Sequence, residues 1–189
     1  MLTVTNRAVE VCSQAQPRAI ACINNRPKKL AAAIAGLAAI VAVTLKAASI
    51  PPPLAPFEQQ ILVAHNLVRA QFQEPPLQWS PALAERARAW AGRLAEERRF
   101  DHSGSSFGEN LYLIVPGPAT PDEVVAAWAA EASKYDYHAN SCRGVCGHYT
   151  QIIWRDTAKV GCGMARGSRR EIWVCNYDPP GNYVGERPY

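Results

Sequence analysis

Two eight-residue runs near the C-terminus, KVGCGMAR at 159–166 and EIWVCNYD at 171–178, flank the short turn GSRR. Apolar, partly β-branched runs on either side of a glycine-containing turn predict an antiparallel β-hairpin. A turn centred between Ser168 and Arg169 puts Cys162 opposite Cys175, at a cross-strand separation of about 5 Å and so within disulfide reach. A hairpin closed in this way has a fixed register and belongs in an oxidising compartment.

The remaining cysteines divide to match. Of the six in this 189-residue chain, Cys12 and Cys22 lie in the N-terminal segment. Cys142 and Cys146 are left, separated by Arg143-Gly144-Val145, where the glycine permits a tight turn. Four cysteines allow three connectivities. The hairpin selects Cys162–Cys175, which leaves Cys142–Cys146.

The N-terminal segment reads as a leader. Leu30 to Leu45, LAAAIAGLAAIVAVTL, is uncharged, follows Lys28-Lys29 and is closed by Lys46 and the small residues Ala47-Ala48-Ser49. A basic flank, an apolar run and a small-residue site make a secretory signal, with cleavage expected after Ser49. An uncleaved anchor is the alternative, although an apolar helix of this length, at roughly 24 Å, falls short of a ~30 Å hydrocarbon core. Either way positive charge stays on the cytoplasmic side and the rest of the chain is outside, with membrane contact only through this segment. The domains expected are therefore 1–49 as signal or anchor, IPPPLAP at 50–56 as a proline-rich extended linker, and 57–189 as one folded domain.

Charge follows the same division. The chain carries a formal +4, but residues 1–50 hold six basic side chains against Glu10 alone, so the rest is slightly acidic overall. Without concentrated Lys and Arg, a nucleic-acid partner is not expected.

Within the domain, FEQQILVAHNLVRAQF at 57–72 places Ile61, Ala64, His65, Val68 and Phe72 at helical spacing. A second helix opens with Ser80 as N-cap and Pro81 at its first position, buries Leu83, Ala87, Trp90 and Leu94, and ends near Arg99. ENLYLIV at 109–115 reads as a strand. Thr120 and Glu123 form a capping box for a third helix on which Val124, Trp128, Glu131 and Tyr135 share a face. A carboxylate on a buried stripe is costly unless it is paired.

His65, Glu109, Glu131 and His148 are thus ionisable groups on apolar elements. Gathered in one cavity, two imidazoles and two carboxylates could hold a divalent ion, zinc being favoured by the histidines, or exchange protons.

GHYTQIIW at 147–154 and IWVCNYDPPGNY at 172–183 resemble the two signature segments of the CAP superfamily, the cysteine-rich secretory, antigen five and pathogenesis-related proteins that share the SCP domain. The resemblance runs from AHNLVRA at 64–70 through HSGSSFGENL at 102–111 and WAAEASKYDY at 128–137 to the terminal GNYVGERPY, about 70% of the chain. It is nearest the plant pathogenesis-related group one branch. It implies an α+β fold, a three-layer α-β-α sandwich with a small antiparallel sheet. It also implies a cavity lined by two His and two Glu, matched here by His65 in AHN, Glu109 in GEN, Glu131 in WAAE and His148 in GHYTQ, where zinc or a similar ion binds. One bridge usual in group one is missing, at positions aligning near Arg98 and Gly167, and both of its ends are absent.

The resemblance points to a secreted, extracellular binding protein, for lipid or sterol or for a target in defence or antagonism between organisms. Tyr135, Tyr137 and Tyr149 are candidate groove residues. The same four polar side chains also fit a metal-dependent hydrolase, with a carboxylate acting on bound water, although no H-E-x-x-H signature is present. Ser103, Ser105 and Ser106 lie near His102 without a G-x-S-x-G elbow. His138, Cys142, Cys146 and His148 are spaced closely enough for a structural zinc cluster, which the expected disulfide opposes. The C-terminus, Pro179 to Tyr189, resembles an eleven-residue peptide released by some plant members; the plainer expectation is a tail that completes the fold.

Overall fold

The computed structural model describes the backbone of residues 8–13 and all of residues 53–189 except Ser168. The apolar run at 30–45 and the site after Ser49 lie outside the described residues. Among the described residues no helix is long and apolar enough to cross a membrane.

A mixed five-stranded sheet runs from edge to edge through residues 8–13, 108–115, 171–178, 159–166 and 78–79. Its strands are β1 (Ala8–Ser13), β2 (Gln78–Trp79), β3 (Gly108–Val115), β6 (Lys159–Arg166) and β7 (Glu171–Asp178). β1 comes from the segment read as leader and runs antiparallel to β3, Ser13 opposite Asn110. The β6–β7 hairpin has the expected register, Cys162 facing Cys175, and the bridge is formed with 4.1 Å between the Cα atoms. Cys142–Cys146 is formed as well. The sheet departs from the expected antiparallel one at a single place, where two-residue β2 pairs parallel with β6.

Alternation along the strands separates two cores. Tyr112 and Ile114 of β3 and Trp173 and Tyr177 of β7 point to one side. There they meet Ile61 of α1 (Pro56–Gln71), Val124 and Trp128 of α3 (Pro121–Ala129) and Ile152 of α4 (Gly147–Ile152). Leu111, Ile172 and Val174 point the other way, onto Ala87, Ala91 and Leu94 of α2 (Pro81–Glu97). Helices therefore cover both faces, and the chain is an α+β three-layer α-β-α sandwich.

The VGCG run explains how closely α2 lies on β6. A side chain at Gly161 would meet the backbone of Ala84 and Ser80, and one at Gly163 the backbone of Arg88. Only glycine admits such an approach.

Helix ends follow the sequence with two adjustments. Ser80 caps α2 through the N–H of Leu83, and Thr120 and Glu123 form the reciprocal box of α3. α3 stops at Ala129 and continues as a 3-10 turn, Ala130–Lys134, which carries Glu131. Trp90 is only half-buried, because its indole N–H reaches outward to the carbonyl of Asp101 at 3.1 Å. A two-stranded ribbon, β4 (Tyr135–Asp136) with β5 (Ser141–Cys142), completes the elements.

Candidate functional site

His65 is fully buried on α1 between two partners. One ring nitrogen, Nδ1, lies 2.7 Å from the carbonyl of Ile61, and Nε2 lies 2.8 Å from the Tyr177 hydroxyl. The Tyr177 oxygen accepts from Asn110 Nδ2 at 3.1 Å, and burial pushes its phenol pKa well above the usual value. A protonated phenol donates to Nε2, so Nδ1 carries the proton donated to Ile61. Desolvation lowers the His65 pKa to about 4, helped by Arg69 and opposed by the bond to Ile61. The ring is neutral with both nitrogens engaged.

His148 opens α4 and is fully buried. Glu131 accepts from its backbone N–H at 3.1 Å, and Oε1 lies 2.9 Å from ring Nδ1. The carboxylate fixes the tautomer that leaves Nε2 as an acceptor. That nitrogen is buried without a partner among the described residues. The His148 ring stacks nearly parallel on Trp128, centroids 6.1 Å apart, and His65 packs tilted against the same indole, also with 6.1 Å between centroids.

Glu109 has other partners. On β3 it alternates with Asn110 and shares the α2 face with Asn176, opposite it on β7. Its Oε1 accepts from the N–H of Ser103 at 2.9 Å and pairs with His102 Nδ1 at 2.8 Å. Its Oε2 is buried and unpartnered among the described residues.

The four expected ligands thus form three separate hydrogen-bonded groups. Glu131 and His148 are brought together, Glu109 pairs with His102, and His65 pairs with Tyr177. The His and Cys atoms that do converge, within 4.8 Å, are those of His65, Cys162 and Cys175, but both sulfurs are in a disulfide and offer no thiolate. The alternative cluster of His138, Cys142, Cys146 and His148 is likewise overturned by the Cys142–Cys146 bridge.

Sequence reasoning assigned no role to three positions. His102 is seven residues before Glu109 in HSGSSFGEN, and that spacing was the available signal. Asn66 exchanges two bonds with the backbone of Leu77. Arg69, fully buried, donates to the carbonyls of Pro75, Ile152, Trp154 and Thr157. AHNLVRA therefore ties α1 to the loops around it.

A groove of about 590 Å³ lies between the 140–147 loop and the C-terminal segment. Tyr135, Val145, Trp154, Tyr183 and Val184 supply its apolar lining, and Val145 and Val184 are exposed. Of the three tyrosines expected to line a groove, Tyr135 does so. Tyr149 is buried against the rings of Phe72 and Tyr135. Tyr137 stacks on Tyr189 at 4.8 Å.

The C-terminal segment is docked. Arg155 N–H donates to the carbonyl of Pro188 at 2.7 Å, Thr150 bonds Asn182 at 2.6 Å, and Gly181 N–H reaches Gln151. This is the arrangement of a tail that completes the fold.

A three-layer sandwich with a disulfide-closed hairpin defines the class of fold. The chain belongs to the CAP family, the cysteine-rich secretory protein family, whose model matches residues 62–177. It is similar to Pathogenesis-related protein 1 of Arabidopsis thaliana, 39% identical over 79% of this chain and 93% of that protein. Pathogenesis-related leaf protein 4 of Solanum lycopersicum is 43% identical over 69% of this chain and 82% of the relative. Among solved structures, venom allergen-like protein 4 of Schistosoma mansoni matches with a TM-score of 0.60 and 27% identity, covering 72% of this chain and 95% of its own.

Proposed function

We propose that the chain is an exported binding protein of defence or antagonism between organisms, which takes an apolar ligand of the lipid or sterol class into the groove beside its tail. Export is supported by the leader pattern at 30–49 and by two disulfides. The observation that carries the ligand class is a groove lined by Tyr135, Trp154 and Tyr183 whose exposed large hydrophobic side chains are Val145 and Val184. Exposed apolar side chains within a concavity favour an apolar occupant. The test is extraction of radiolabelled sterol and fatty acid from liposomes by purified protein. Extraction above an unrelated secreted control, reduced at least about tenfold in Val184→Asp, is the expected result, since about 1.4 kcal/mol corresponds to tenfold. Extraction no better than the control contradicts it.

A metal-binding function is favoured by a narrower observation. His148 Nε2 and Glu109 Oε2 are buried acceptors without partners among the described residues, and neutral imidazole and carboxylate are the donors zinc takes. His65 does not fit as a ligand, because both of its ring nitrogens are hydrogen-bonded, whereas Glu131 accepts two bonds from His148 and keeps further lone pairs. An ion held by His148 and Glu109 would supply Lewis acidity, and Glu131 would orient the imidazole. Elemental analysis of wild type against His148→Ala decides: equal metal content in both rejects it.

A further inference from the structure

Arg166 at the end of β6, with Arg169 and Arg170 in the turn that follows, surrounds a hollow of about 350 Å³ that is remote in the chain from the apolar groove. Gly117 and Pro118 form the facing wall, and Glu171 is the one acidic residue lining it. Glu171 is buried and fully engaged. Its Oε2 accepts from Arg166 Nε at 2.6 Å, and its Oε1 accepts from the indole N–H of Trp173 at 2.7 Å and from the N–H of Ala119 at 3.2 Å. One arginine is therefore neutralised and two are not.

Arg170 is held under the turn. Gly167 permits this, since a side chain there would lie 3.0 Å from Arg170 Cγ. Arg170 Nη2 donates to the carbonyl of Arg99 at 3.0 Å, an uncharged acceptor. Arg99 itself is compensated by Glu97 and Asp101. Arg170 Nε is buried with no acceptor among the described residues. A charged N–H removed from water without an acceptor is costly, which marks a place where an acceptor belongs. Arg169 is exposed at the rim and forms no ion pair among the described residues.

We propose that this hollow binds a doubly charged oxyanion, phosphate or sulfate, either free or as the ester head of a larger molecule. Two uncompensated guanidinium groups match the charge, and their planar forks suit tetrahedral oxyanions. The volume is within the range of small-molecule sites, about 300–1,000 Å³. Arg170 Nε donates from the floor, and Arg169 closes from the rim.

The exported protein is titrated calorimetrically with inorganic phosphate and with sulfate in about 150 mM sodium chloride, which screens diffuse attraction. A parallel arm measures binding to phosphatidylcholine vesicles with and without phosphatidic acid. The expected result is saturable binding of an inorganic ion, weakened at least tenfold by Arg169→Gln and by Arg170→Gln but unchanged by Arg93→Gln, an exposed arginine on α2. Binding confined to phosphatidic acid vesicles, and lost in Arg169→Gln, supports the site and assigns it to an ester head. Arg169 is exposed, so its variant keeps the fold, and an unchanged thermal midpoint verifies this. No binding of any probe by wild type, equal binding by the Arg169 and wild-type proteins, or equal loss in Arg93→Gln overturns the proposal.

Discussion

His65 is a neutral imidazole locked between Ile61 and Tyr177, and this has a measurable consequence. Its pKa is lowered from 6.5 to about 4 by burial, so between those values the unfolded chain binds a proton that the folded one refuses. The contribution to stability is complete above pH 6.5 and is lost as pH falls toward 4. It amounts to roughly 3 kcal/mol, at 1.36 kcal/mol per unit. Urea unfolding of His65→Gln should lose less stability between pH 7 and pH 4 than wild type, by that order; an unchanged difference contradicts the assignment. The burial of His65 was legible from the spacing in AHNLVRA, but its partner was not. Tyr177 lies 112 residues away, and helical periodicity carries no information about a strand that packs against the stripe. The pairing of Glu131 was anticipated from the cost of a buried carboxylate, whereas its selection of His148 required the 3-10 turn after Ala129.

Elements defined by local chemistry were read correctly. Ser80, the Thr120–Glu123 box and the hairpin register depend on neighbours within a few residues, and such neighbours are visible in one sequence. β2 was not foreseen, because two residues show no period and its partner is distant in the chain. β1 fell within a segment read as leader, and a cut after Ser49 would remove it and leave β3 at the sheet edge. The tail is the element whose role is most open to test. Residues 179–189 cover Phe72 and Trp154 with Tyr189 and Tyr183 and supply the carbonyl that satisfies Arg155 N–H. A chain ending at Asp178 should therefore unfold at lower urea, by at least about 2 kcal/mol, from lost burial and hydrogen bonds. A midpoint equal to wild type would mean the tail adds nothing to the fold.

At the scale of the molecule, the sandwich places its helices on both faces of one sheet, and strand alternation decides which polar groups can meet. Glu109 is hydrogen-bonded to His102, Glu131 to His148 and His65 to Tyr177, so the four residues of the cavity that the family resemblance implies are engaged in three pairs. The disulfide Cys142–Cys146 and the docked tail meet at the rim of the apolar groove, which is built from two loops. Of its lining only Tyr135 was legible, since a concavity between distant loops leaves no pattern in the residues that form it. The most direct test uses a photoactivatable sterol crosslinked to the exported protein and mapped by mass spectrometry. Adducts should fall within 135–147 and 182–188 and disappear with excess unlabelled sterol; adducts confined to α2, or none above an unrelated control protein, would contradict the account.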